Sequence, residues 1–176
     1  MSWMDVRVRL AAIVAAAVLV ADQVTKAIVQ VEMTPGKAGS KELLPFFALT
    51  YVRNTGAAFG LFADMRPEIR LPLLLLVTVV AVGALVSFLR QTSPDDRWLV
   101  GALGGILGGA LGNLICRIRY PHTVVDFLDV HWGEHYHWPA FNVADSAITV
   151  GVAIVLLHGL RHGDKAEAAR RYPEKA

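Results

Sequence analysis

The sequence predicts an all-α membrane protein with four transmembrane helices and a small extracytoplasmic β-sheet lying on the membrane surface. The first reason is composition. Of the 176 residues, 55% are apolar and only 18% are charged, with a mean hydropathy of +0.46, where a soluble domain carries about 25% charged residues. The second is distribution. The apolar residues fall in blocks near 10–31, 71–89, 97–115 and 141–160, each close to the roughly 20 residues that cross a bilayer as a helix. The third is the character of residues 40–62, which carry strand and turn signals instead. The whole chain, 1–176, reads as one membrane-embedded domain with a charged, mobile tail over 161–176.

Arg7 and Arg9 precede the first block. A signal peptide also has basic residues before a short apolar core, but apolar character resumes at Ala27-Ile28-Val29 and more blocks follow, so a retained span is expected. Within it, Asp22 and Lys26 are four apart and share a helical face. They are either a self-neutralising pair with Lys26 snorkelling to the interface or a brace for a neighbouring site.

Between the first two blocks, Phe46–Val52 is rich in aromatic and β-branched residues and predicts a strand. Asn54-Thr55-Gly56 follows as a turn, in which Asn54 can bond its own backbone. The second block, Leu71–Leu89, carries no charge. Ser93-Pro94-Asp95-Asp96 predicts a helix start, with Ser93 as the cap and proline at the first position. In the third block, Gly101, Gly105 and Gly109 form one four-residue stripe, and Gly104, Gly108 and Gly112 a second. Small residues at this spacing let helices approach closely in lipid. Asn113 and Arg117, again four apart, end the block.

The connection that follows holds Asp126 in Thr123-Val124-Val125-Asp126-Phe127-Leu128-Asp129. Further on, His131, Glu134, His135 and His137 raise the question of a metal. Their spacing is not that of a zinc protease, and the interleaved Trp132, Tyr136 and Trp138 fit an aromatic belt with wet histidines; no metal is expected. In the fourth block, Asn142 can cap the helix with Asp145 three residues later in a capping-box-like pair.

Nine basic residues flank the ends that carry both termini and seven lie on the other side, Lys26 inside the first span being the last of the 17. The nine sit on much shorter segments, so the positive-inside rule places both termini in the cytoplasm. Asp126 and the mouth of the fourth span then face outward. A net charge of +2 is too small to suggest nucleic acid as a partner. Cys116 is the only cysteine, so no intrachain disulfide forms.

A carboxylate beside lipid costs roughly 2.5–3.5 kcal/mol at a span centre, and so usually has a task or a partner. Two carboxylates held close cannot both ionise cheaply, and such a pair can activate water and protonate a leaving amine. No cofactor is needed. Proton or ion relays use the same residues, but the inner halves of the second and third spans offer almost no polar steps. A non-catalytic scaffold would leave the outer aspartates unexplained.

Five blocks in order give the chain a resemblance to a known family. They are Asp22-Gln23-Val24-Thr25-Lys26; Asn54-Thr55-Gly56-Ala57-Ala58-Phe59-Gly60; Gly108 to Arg117; Val124-Val125-Asp126-Phe127; and Phe141-Asn142-Val143-Ala144-Asp145-Ser146. From about Leu10 to Leu157 the chain resembles the bacterial lipoprotein signal peptidases, signal peptidase II. The resemblance implies an aspartyl endopeptidase of the bacterial inner membrane. Such an enzyme cuts diacylglyceryl-modified prolipoproteins before the lipidated cysteine. It maps the catalytic pair onto Asp126 and Asp145. Asp22, Lys26, Asn54, Asn113, Arg117 and Asn142 map onto polar positions that shape the site. The sheet would clamp substrate against membrane lipid. A monomer is expected, although glycine stripes serve packing within or between chains. The family often has aspartate where this chain has Cys116, so the means by which Arg117 is held is open.

Overall fold

The computed structural model describes residues 3–36, 39–56, 61–120, 123–133 and 135–171. Four helices, α1 (Trp3–Glu32), α2 (Pro67–Gln91), α3 (Arg97–Arg119) and α4 (Val143–Arg171), alternate with strands β1 (Lys41–Leu44), β2 (Phe47–Asn54), β3 (Val124–Trp132) and β4 (Tyr136–His137). Each helix contains a segment long and apolar enough to cross a membrane: Val6–Glu32, Pro67–Gln91, Arg97–Arg119 and Val143–Arg161. The strands form one antiparallel sheet in the order β1-β2-β3-β4. Both long connections therefore end at the same end of the bundle.

Helix α3 is the centre, with 72% of its crossing segment buried. The two glycine stripes explain how. A Cβ at Gly104 or Gly108 would stand 2.6 or 2.5 Å from the backbone oxygen of Ala11 or Ala15, so this stripe seats α1. A Cβ at Gly109 would stand 2.5 Å from the Ala144 carbonyl oxygen, and one at Gly105 3.9 Å from that of Ala147, so the other stripe seats α4. These contacts lie within the chain. Gly101 faces open space. Only 6% of the crossing segment of α2 is buried, which leaves that helix at the periphery.

Three boundaries differ from the sequence expectation. Helix α3 is capped by Asp96, whose Oδ1 accepts from Leu99 N–H at 3.1 Å, and not by Ser93. Ser93 to Asp96 folds as a turn, and Asp96 Oδ2 also lies 3.0 Å from Nδ1 of His158 on α4. Helix α4 starts at Val143, because Phe141 is bridged to Leu128 of β3. It runs on to Arg171, so most of the expected tail is helical. Lys165-Ala166-Glu167-Ala168-Ala169-Arg170-Arg171 consists of strong helix formers.

The sheet is larger than residues 40–62 alone would make. The expected strand is β2, but Asp126 belongs to its neighbour β3 and not to an irregular connection. Val124, Val125, Asp126 and Phe127 are all buried, and burial on both faces removes the alternation by which a surface strand is recognised. Val125, Phe127 and Tyr51 pack on Val29 and Met33 at the end of α1, which ties the sheet to the bundle.

Close approach at the stripes predicts a contrast. Gly109→Ala forces its Cβ into the α4 backbone and should destabilise the protein by roughly 1–3 kcal/mol, as overpacking does. Gly101→Ala meets nothing and should leave the thermal unfolding temperature unchanged or raised. Thermal unfolding of both variants in detergent checks this.

Candidate active site

The site is assembled where β3 meets the first turn of α4. Antiparallel hydrogen bonds join Leu128 to Phe141 in both directions, at 2.8 and 3.0 Å, and the chain enters α4 directly after this bridge. That fixes Asn142 and Asp145 beside Asp126.

Asp145 is held by the helix start itself. Asn142 Oδ1 accepts from Asp145 N–H at 3.0 Å, and Asp145 Oδ2 accepts from Asn142 N–H at 3.3 Å. This is the reciprocal capping box that the sequence predicts. It leaves Asp145 Oδ1 to accept from the Asn113 amide at 2.7 Å. The cap is therefore also the mount of a site carboxylate.

Asp126 is 1% exposed and accepts two side-chain amides. Asn142 donates to Oδ1 at 2.6 Å and Asn54 to Oδ2 at 2.9 Å. Asn54 reaches it because of a bulge. From Leu49 to Val52 strand β2 advances three residues while β3 advances two, from Leu128 to Asp126. Alternation along a strand would otherwise put Asn54 on the face of Asp129. The extra residue turns it to the face of Asp126. Asn54 Oδ1 also accepts from Gly56 N–H at 2.9 Å, so its turn bond and its site bond coexist.

Lys26 is 1% exposed and does not snorkel. Its ammonium donates to Asp22 Oδ2 and to Asn113 Oδ1, both at 2.8 Å. An ammonium only donates, so the oxygen of Asn113 turns to Lys26 and its NH2 group to Asp145. Asp22 Oδ1 in turn accepts from Ala144 N–H at 3.0 Å, which satisfies an unpaired donor of the first turn of α4. The brace is the reading the structure supports.

Arg117 donates to the Gly56 carbonyl at 3.0 Å, so it is held without an acid at position 116. Cys116 is buried and its sulfur lies 3.8 Å from the Gln23 amide nitrogen, which also donates to Asp22 and to the Gly112 carbonyl. Two supporting residues escaped the sequence reading. Gln23 links Asp22 to α3, and a Cβ on Gly112 would stand 2.6 Å from Asp22 Oδ2. Gly112 was legible as packing; nothing in the sequence showed that it packs on a carboxylate.

Asp126, Asp145, Asn54, Asn113 and Arg117 line one cavity of about 380 Å³, which continues along apolar Val124, Phe141 and Val150. Burial pushes the Asp126 carboxyl up to about 7, and the nearby charge of Asp145 adds to the rise. The donors on Asn54 and Asn142 oppose it without cancelling it. Of the histidine stretch, Glu134 lies outside the described residues, and His131 and His137 sit on the other face of the sheet from Asp126.

The model of the family described as signal peptidase (SPase) II matches residues 14–161. The chain belongs to the signal peptidase II family. It is thus a membrane protease. The chain is 47% identical over 160 residues to the lipoprotein signal peptidase of Syntrophotalea carbinolica, covering 91% of this chain and 96% of that one. To the lipoprotein signal peptidase of Vibrio cholerae it is 44% identical over 144 residues, 82% of each. A solved structure described as a bacterial membrane enzyme, obtained by the in meso method at 2.3 Å resolution, matches with a TM-score of 0.76. The two are 32% identical, over 88% of this chain and 90% of that one.

Two predictions concern how the peptidase holds its carboxylates. Lys26→Met leaves Asp22 charged and buried, and should destabilise the protein by roughly 3–5 kcal/mol. The double variant Asp22→Asn/Lys26→Met should recover much of that stability but not the proteolytic rate, because the Asn113 oxygen then loses its ammonium donor and keeps only the longer contact from the Asn142 amide at 3.3 Å. Thermal unfolding and a cleavage assay on the same samples check both halves. The second prediction follows from Asp126. Its folded-state value lies above the ordinary 3.8, so the folded protein holds an extra proton between about 4 and 7. Stability from this group is greatest below that window and falls as pH rises through it. Unfolding temperatures between pH 5 and 8 should therefore fall more steeply in the wild type than in Asp126→Asn.

Proposed function

We propose that Asp126 and Asp145 are a catalytic dyad that directs a water molecule onto a peptide carbonyl. The observation that carries this reading is the shared cavity, where both carboxylates meet and Asp126 is pushed up to about 7. Near neutral pH such a pair retains one proton between its members. Asp126, in its neutral form, gives its proton to the developing oxyanion and recovers it when the carbonyl re-forms. Asp145, which accepts N–H donors from Asn113 and Asn142, is the charged partner; it takes a proton from water and passes it to the departing amine. Both groups then return to their starting states, with no cofactor consumed.

The substrate is a diacylglyceryl-modified prolipoprotein, cut just before its lipidated cysteine. The relatives of this chain are lipoprotein signal peptidases. The apolar extension of the cavity along Val124, Phe141 and Val150 supplies a surface for acyl chains. Arg117, held by the Gly56 carbonyl, borders the polar end, where the peptide would lie. Asn54, Asn113 and Asn142 orient the dyad, and Asp22 with Lys26 orients Asn113. The nine basic residues on the side that carries the termini support a topology with both ends in the cytoplasm and the sheet on the outer surface of the inner membrane. The chain acts as a single-domain monomer.

Purified protein incubated with a diacylglyceryl prolipoprotein should release the signal peptide. Asp126→Asn and Asp145→Asn should each lower the rate by at least about 10²–10⁴-fold, the range that acid–base groups contribute, with unfolding still cooperative. Full activity in either variant would end the dyad assignment.

A further inference from the structure

Asp129, His131 and His137 take no part in the site described above. Asp129 and His131 are two apart on β3 and share a face. It is the face opposite to that of Asp126. Strand pairing sets His137 of β4 directly across from His131, and residues so opposed lie on the same face. One ligand atom from each of the three side chains comes within 4.8 Å of the others. His137 Nδ1 lies 2.9 Å from both oxygens of Asp129, and the two imidazole rings stand 5.1 Å apart. His131 Nδ1 is buried with no hydrogen-bond partner among the described residues. A buried nitrogen left in that state costs free energy until something satisfies it.

A cavity of about 440 Å³ opens over the group. Glu42 stands at its rim. Ala48 is paired with Glu42 on one side and Asp129 on the other, and its short side chain keeps the space above the cluster clear.

We propose that Asp129, His131 and His137 form a binding site for a divalent transition metal of the zinc type. Two imidazoles and one carboxylate match the ligand preference of zinc, whereas calcium and magnesium take oxygen ligands. Ligands about 2.0–2.1 Å from a tetrahedral zinc stand roughly 3.3 Å from one another. The cluster therefore needs only side-chain rotations to close. The fourth position faces the cavity and takes water, with Glu42 nearby. The metal would pin β4, two residues long, to β3 across the turn at Gly133. Spacing along the chain hid this site, because one ligand is an aspartate two residues ahead of the histidine cluster and the pairing of strands supplies the rest.

The test uses full-length protein in detergent, stripped of metal and of any affinity tag, and titrated with zinc(II) by calorimetry. The wild type should bind one equivalent, and zinc should raise its unfolding temperature. His131→Ala and His137→Ala should each weaken binding by about 100-fold or more, since loss of even an outer-shell partner costs 10–100-fold. His135→Ala should bind as the wild type does. Cobalt(II) should give tetrahedral visible bands in the wild type that vanish in both ligand variants. Should an alanine variant not fold, His131→Gln keeps the volume and carries the same expectation. Absence of saturable zinc binding by the wild type overturns the site, and so does unchanged binding by folded His131 and His137 variants.

Discussion

An ammonium group buried inside a bundle of membrane-crossing helices needs an acceptor for its N–H groups within the protein. Lys26 finds two, one on its own helix and one on α3. Much of the site follows from that requirement. For the reach from α1 to Asn113 to close, the two helices must lie in near backbone contact, and Gly104, Gly108 and Gly112 make that possible. With its oxygen committed to Lys26, Asn113 can offer only its NH2 group to Asp145. The counter-ion Asp22 spends its other oxygen on the first turn of α4. A single buried ion pair thus ties together α1, α3 and α4 and orients one carboxylate of the site. Removing a partner from such a pair is costly because the remaining charge has nowhere to go.

The other carboxylate is placed by the sheet. The bulge in β2 decides which face Asn54 occupies, and the Leu128–Phe141 bridge decides how far β3 lies from the start of α4. Neither device contains a group that does chemistry. Asn142 joins the two halves, since it caps α4 with its oxygen and donates to Asp126 with its nitrogen. Asp126 and Asp145 come from segments with different local rules, strand and helix, and one asparagine touches both.

Some features were legible because they are local. Long apolar blocks must become spans in lipid, since every backbone polar group has to be satisfied within the segment. Asn142 and Asp145 announce a capping box through a spacing of three residues. Two glycine stripes on α3 predict two close neighbours. Other features were not legible because they depend on partners far away in sequence. Ser93 has the better local signature for a cap, yet Asp96 serves, with a second contact to His158 on α4. The strand character of Asp126 was hidden by burial on both of its sides. Lys26 read equally well as an interfacial anchor or as a brace, and only the position of Asn113 decides.

The sequence by itself determined the membrane class, the four spans, the capped start of α4 and, through five ordered blocks, the family. Apolar length, residue spacing and turn chemistry act over a few residues, so they can be read along a line. The tertiary structure decided which glycine stripe meets which helix, which face of the sheet Asn54 takes, and that Asp126 and Asp145 open on one cavity. It also brought Asp129, His131 and His137 together. Each of those outcomes depends on strand register or on distances between helices. Those are fixed only when segments far apart in the chain are packed against one another.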